Sequence, residues 1–188
     1  MVVLDDLGRE CVALITSAKT GISSAADLRT GTRGALIIPS AASGAAVTYE
    51  YMSRMDPAYR KSPAVVANPI ETMLKMRLPD GGQIAALMMV KQPRTITPEL
   101  DIVLANQDTF KAAPIRPADV KNGKLPDGSP VYTFETVRTG FGVDYHIEFE
   151  TMCTRAMLLT SSAKLDQAMR RDLSLVLLQS GRLIAPGR

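Results

Sequence analysis

The residues most able to do chemistry lie in Ile38-Pro39-Ser40-Ala41-Ala42-Ser43-Gly44-Ala45-Ala46-Val47-Thr48, where an apolar run passes through small residues into a helical pattern. A helix start exposes N–H groups that have no intrahelical acceptor, and the macrodipole adds partial positive charge. A carboxylate or phosphate can be held there. Ser40 and Ser43 add hydroxyls, while Ala42, Gly44 and Ala45 let a ligand approach the backbone. A plain strand-to-helix connection with a serine cap has the same composition, and neither GxGxxG nor GxxxxGK[ST] spacing is present.

A second group is Asp144, His146, Glu148 and Glu150, which share one face if this stretch is a strand. A metal site or an acid/base pair is conceivable there. However, one histidine with three carboxylates in a row cannot surround a tetrahedral ion, so the reading is a solvated strand face. No serine lies in a GxSxG turn, and neither cysteine has a local base. The expectation is a binding protein with no catalytic residue, no metal and no cofactor. Cys11 and Cys153 sit in two strand-like apolar runs, outside any CxxC spacing. Two buried thiols are the favoured reading, and a single disulfide is the alternative.

The elements that must position these residues come from one domain's length of chain. At 188 residues, 46% hydrophobic and 22% charged, the composition is that of an ordinary soluble globular unit. The net charge of +3 is spread without a basic block, and Trp is absent, which argues against nucleic acid. The start, MVVLDDLGRE, has acids where a secretory leader needs bases, so no export signal is expected in it.

Glu10 to Ser17 reads as a buried strand; a serine before Ala25 caps a helical turn that Thr30-Gly31 stops. Arg33 to Ile38 is a second strand, and the small-residue loop opens a helix to about Met55 with Val47, Tyr51 and Met55 along one face. Val65 to Ala67 is a short strand. Asn68 then caps a helix with Pro69 in its first turn and Ile70, Met73, Leu74 and Leu78 as its apolar residues. Ile84 to Val90 follows as a buried strand.

Two β-α-β passes in sequence imply parallel strands. Asp101 to Ala105 is a fifth strand candidate, 107–112 a short helix and 114–130 a surface loop. Val131 to Arg138 and Ile147 to Thr160 read as longer strands, and Ser161 or Ser162 caps a final helix to about Leu178. The methionines fall in apolar runs and read as core, with an adaptable ligand wall as the lesser alternative.

In this order the segments resemble type 2 periplasmic solute-binding proteins, and most closely the TAXI class of TRAP-transporter receptors and related aromatic-sulfonate or nitrate-type, ABC-type receptors. The phrase Gly21-Ile22-Ser23-Ser24-Ala25-Ala26-Asp27-Leu28-Arg29-Thr30-Gly31, the strand after it, the loop ending Ser43-Gly44 and the later Ile84 to Val90 carry the likeness. It covers about 10–178 and corresponds mainly to the second lobe and hinge strands.

The resemblance implies an α/β lobe of the periplasmic-binding-protein-like II kind, with a mostly parallel sheet, helices on both faces and hinge strands. It implies a single ligand-binding domain over 1–188, with 10–38 as hinge strand and entrance, 39–130 as core lobe and 131–188 as return strands and C-terminal helix. Ser40, Ser43 and Gly44 would stand at the ligand-binding helix start. Lys91 and Gln92 would stand at the end of the strand facing the cleft, with Arg94 beside them. Ala45 stands where the family often has Thr. By the same resemblance the chain would lack most of the first lobe and would hold half a cleft.

The expected partners are a small anionic, carboxylate-like ligand and membrane transporter subunits, with no nucleic acid, in a monomer or dimer placed in the periplasm. The alternative is a metabolite-sensing effector domain of a regulator.

Overall fold

The structure is a computed structural model that describes residues 2–93, 95–125, 127–142 and 145–160. The chain forms two compact units, Met1–Glu10 with Arg155–Arg188, and Cys11–Thr154. Everything below concerns the second, apart from the two strands that run on into the first. The final helix expected after Ser161, Met169 on it, Arg94 and Asp144 all lie outside the described residues. No helix among the described residues is long and apolar enough to cross a membrane.

Seven strands make one sheet: β1 Val2–Ser17, β2 Ala35–Ile38, β3 Ala64–Val66, β4 Ile84–Lys91, β5 Phe110–Ala113, β6 Thr133–Phe141 and β7 Tyr145–Thr160. Their order is β3-β2-β4-β1-β7-β6, with β5 also paired to β1. Parallel pairing joins β2 to β3 and β2 to β4. β1 runs antiparallel to β4 and β5, and β6 runs antiparallel to β7. Among the described residues, the mostly parallel sheet expected from the alternating elements is met only in β2, β3 and β4, where α1 and α2 make the crossovers. The rest of the sheet is built from a hairpin and from strands far apart in sequence.

Residues of alternating parity along β1, β2 and β4 enter two separate cores, as the period of a strand requires. Leu14, Leu36, Ile38 and Met88 pack with Ala45 and Met52 of α1 (Gly44–Met55) and with Tyr59 of the 3₁₀ turn Pro57–Lys61. Ala13, Ile15, Ile37 and Leu87 pack with Met73 and Met76 of α2 (Pro69–Met76) and with Leu100 and Val103 of α3 (Pro98–Ala105). β4 is buried along nearly all its length, which explains its unbroken apolar run.

The helix starts follow local chemistry. Ser24, Ser43, Asn68 and Thr97 each place a side-chain oxygen on a first-turn N–H, and Pro69 and Pro98 occupy positions that need no N–H. Ser24 and Asp27 form a reciprocal capping box, and Gly31 ends that turn in the left-handed conformation.

The buried face of α1 differs from the expected one. Ala45, Thr48, Met52 and Ser53 are buried, whereas Val47 is 66% exposed. Small residues bring the helix close to the sheet, and Thr48 is satisfied by the Tyr132 hydroxyl at 3.2 Å. On α2, Met73 and Met76 face inward while Leu74 is exposed. Asp101 to Ala105, expected as a strand, lies in α3, because the Thr97 cap and Pro98 start a helix that a short apolar run cannot signal by periodicity. The helix expected at 107–112 is instead a turn over 107–109 followed by the start of β5.

Cys11 and Cys153 are joined in a disulfide, correcting the reading of two free thiols. β1 and β7 are neighbours in the sheet, and the two Cα atoms stand 4.0 Å apart. The surface segment 114–130 is tied down through Tyr51, whose hydroxyl accepts from the Gly123 N–H at 2.6 Å and donates to Asn122 Oδ1 at 3.1 Å.

Candidate functional site

Parallel β2 and β4 lie side by side, and the chain leaves their C-terminal ends toward opposite faces. From β2 it enters α1, in the core of one face; from β4 it passes through Gln92 to Thr97 into α3, in the core of the other. A crevice forms where neighbouring parallel strands send their connections apart, and open α/β sheets bind ligands there. Of the candidates read from the sequence, Ser40, Ala42, Ser43, Gly44, Ala45 and Gln92 fall on the two connections that flank this point, and Lys91 is the last residue of β4. Their side chains do different things.

Ser43 is the cap of α1. Its hydroxyl donates to the Ser40 carbonyl at 2.6 Å and accepts from the Ala46 N–H at 3.2 Å, so its one proton is already committed within the loop. Ser40 and Ala42 are exposed, and the Ser40 hydroxyl has no partner among the described residues. The methyl of Ala45 is buried in the core, which leaves only its N–H for a ligand. Among the described residues no acceptor meets the N–H of Gly44 or Ala45.

Gly44 serves a packing purpose besides ligand access. A Cβ there would stand 3.1 Å from Val90 Cβ, so glycine lets the start of α1 settle onto β4. The first turn of α1 holds no acidic residue, so nothing in that turn offsets the positive end of the helix dipole.

Lys91 is only 6% exposed. It pairs with Cys11 across β1 and β4, which puts its side chain on the face opposite Val90 and the start of α1. Its ammonium donates to Pro93 O at 3.2 Å, to Thr139 Oγ1 at 3.1 Å and to the Thr95 carbonyl. Thr139 in turn donates to Pro93 O at 2.8 Å. Burial pushes the Lys91 pKa down to about 8. The lysine thus ties the segment after β4 to β6, and its charge is enclosed by protein oxygens. Gln92 is half-buried at the start of that segment, and its carbonyl accepts from the Thr95 N–H at 3.1 Å.

Among the solved structures that resemble the chain are the following two. One is the substrate-binding domain of a protein described as a molybdenum ABC transporter from Clostridium difficile, at 15% identity and TM-score 0.39, covering 96% of this chain and 62% of that one. The other is the L-cystine solute receptor of Neisseria gonorrhoeae in its unliganded open conformation, at 12% identity and TM-score 0.33, covering 97% of this chain and 56% of that one. The chain therefore spans about three fifths of the length of these structures. No protein-family model and no curated protein matches the sequence.

The histidine group is a surface arrangement. His146 Nδ1 lies 3.3 Å from Arg138, and its other ring nitrogen lies 3.9 Å from Glu148, which is also 3.9 Å from Arg138. Glu150 pairs instead with Arg116 at 2.7 Å. Two carboxylates of the expected row are thus occupied by arginines. What the sequence did not signal is the Lys91 clasp, because Thr139 is 48 residues away and no local pattern marks it.

Proposed function

We propose that Cys11–Thr154 binds a small anionic, carboxylate-like solute at the start of α1, as the receptor component of a transport system or a single-lobe derivative of one. The observation that carries this reading is the pair of N–H groups on Gly44 and Ala45, which meet no protein acceptor among the described residues at the switch point of the sheet. The Ser40 hydroxyl is the side-chain donor beside them. Lys91 and Gln92 act by fixing the opposite rim of the crevice, and Lys91 does so without touching the solute.

A disulfide fits an oxidising compartment, which supports a periplasmic location. Membrane transporter subunits are then the macromolecular partners, and the TAXI type of TRAP receptor is the nearest kind by sequence phrase. The domain works by binding and performs no catalysis.

Thermal shift with small carboxylates and phosphate at constant ionic strength tests this. At millimolar ligand the melting temperature should rise, as mass action requires. Ala42→Asp places a carboxylate in front of the helix start, where it supports the helix by about 0.3–1 kcal/mol yet competes with an anionic guest. The variant should be at least as stable as the parent and lose the ligand response. No response to any such anion, or a response undiminished in Ala42→Asp, would overturn the proposal.

A further inference from the structure

At the end of the sheet opposite the switch point, three turns enclose an open cleft of about 410 Å³. Lys19 comes from the turn after β1, Thr32, Arg33 and Gly34 from the turn before β2, and Asp80 and Gln83 from the turn before β4. That volume lies within the range of roughly 300–1,000 Å³ typical of small-molecule sites.

The backbone here is held in an uncommon way. Gln83 is the one non-glycine with positive φ among the described residues, at 55°, and it follows Gly81 and Gly82, both at 65°. The opposite wall is pressed against it: a Cβ on Gly34 would fall 1.9 Å from the Gln83 carbonyl oxygen, and Gly34 itself has φ of 96°. Left-handed geometry at a glutamine costs free energy, and such outliers gather at ligand clamps. Here it turns an exposed amide side chain, with no partner among the described residues, toward the cleft.

The charged groups are arranged for a guest that is anionic at one end. The exposed Arg33 guanidinium makes no hydrogen bond or ion pair among the described residues. It lies beside Gly21, where a Cβ would stand 2.9 Å from Nη1, so glycine leaves the space that the guanidinium occupies. Lys19 donates to the Arg77 carbonyl at 2.6 Å, which fixes a second positive charge at the rim. Asp80 accepts from the Gly82 N–H at 2.8 Å through Oδ1, leaving its other oxygen for a donor. Asp27 feels the Arg33 charge, but its carboxylate is held by Ser23 and Ser24.

We infer that this cleft is a second binding site, separate from the start of α1, for a small hydroxylated oxyanion. The fork of Arg33 takes the oxyanion group, Gln83 donates to it, and Asp80 accepts from a hydroxyl on the same molecule.

The test follows backbone and Arg33 Nε resonances by ¹H–¹⁵N NMR during titration with inorganic phosphate and with glycerol 3-phosphate. Both should shift Arg33, Gly34, Gly82 and Gln83, with glycerol 3-phosphate binding more tightly. Arg33→Gln should weaken both by about tenfold or more while distant resonances stay in place. Asp80→Asn, which keeps the turn's acceptor, should erase the preference for glycerol 3-phosphate. The inference fails if neither probe shifts these residues up to about 50 mM, or if Arg33→Gln binds as the parent does. It also fails if the shifts map only to 40–45 and vanish in Ala42→Asp; that last result would leave the proposal for the start of α1 standing.

Discussion

The parallel strands β2, β3 and β4 and the antiparallel strands β1, β6 and β7 belong to one sheet but reach it by different means. In the parallel part, each crossing is made by a helix whose cap lies in the adjoining loop: Ser43 for α1 and Asn68 for α2. In the antiparallel part, β1 must find β7 across most of the chain, and the pairing is joined by a bond between residues 142 positions apart. The first part rests on local signals and buried apolar side chains. The second closes a long loop, whose entropy cost local propensity does nothing to lower.

If that contrast is right, the largest loss comes from opening the disulfide. In the chain-entropy view a loop of this length contributes about 5 kcal/mol, toward the upper end for one bridge. Cys11→Ala combined with Cys153→Ala should lower the urea midpoint accordingly. In hydrogen exchange, β1 and β7 should lose protection before β2 and β4. Equal loss of protection in both parts would show that the sheet opens as one body and would remove the distinction.

The next effect sharpens the contrast inside the parallel part. Met52 is fully buried on the sheet-facing side of α1, so Met52→Ala should destabilise by about 3 kcal/mol, whereas Val47→Ala on the exposed face should stay within about 0.5 kcal/mol. Thermal or urea unfolding of the two variants is sufficient. Similar costs at both positions would mean that α1 sits on the sheet by a different face.

The same division explains what could be read from the amino acids. Strands β1, β2 and β4 were visible as apolar runs, and the caps at Ser24, Ser43 and Asn68 were visible as residue types in the right places. The orientation of α1 was not. Its buried face is made of Ala45, Thr48 and Ser53 with Met52, and hydrophobicity ranks the exposed Val47 above most of them. Residues 98–113 were exchanged between helix and strand because a run of five apolar or acidic residues fits either, and Thr97 as a cap outweighed β-propensity. At the candidate site the location of both connections was legible. That Lys91 points to the other face depends on its register with Cys11, which no local pattern carries.

Lys91 gives the smallest expected effect, and its sign can be worked out. In the folded protein burial holds its pKa near 8, against an ordinary value of 10.5, so between these limits the unfolded chain binds more protons. Stability from this group therefore rises as pH climbs through that window. The three oxygens around the ammonium favour its charged form and oppose desolvation, which keeps the gain below the full cost of burying the charge. Tyr59 and Tyr132 act in the opposite sense at the alkaline end. Burial raises both phenols, so stability falls once unfolded tyrosines begin to ionise near about pH 10. Comparing urea unfolding of the parent with Lys91→Met cancels the tyrosines. The parent should gain on the variant between about pH 8 and 10 and be flat relative to it below that range. A difference that does not change with pH would mean that Lys91 stabilises the segment after β4 only by packing, and the clasp would then be steric.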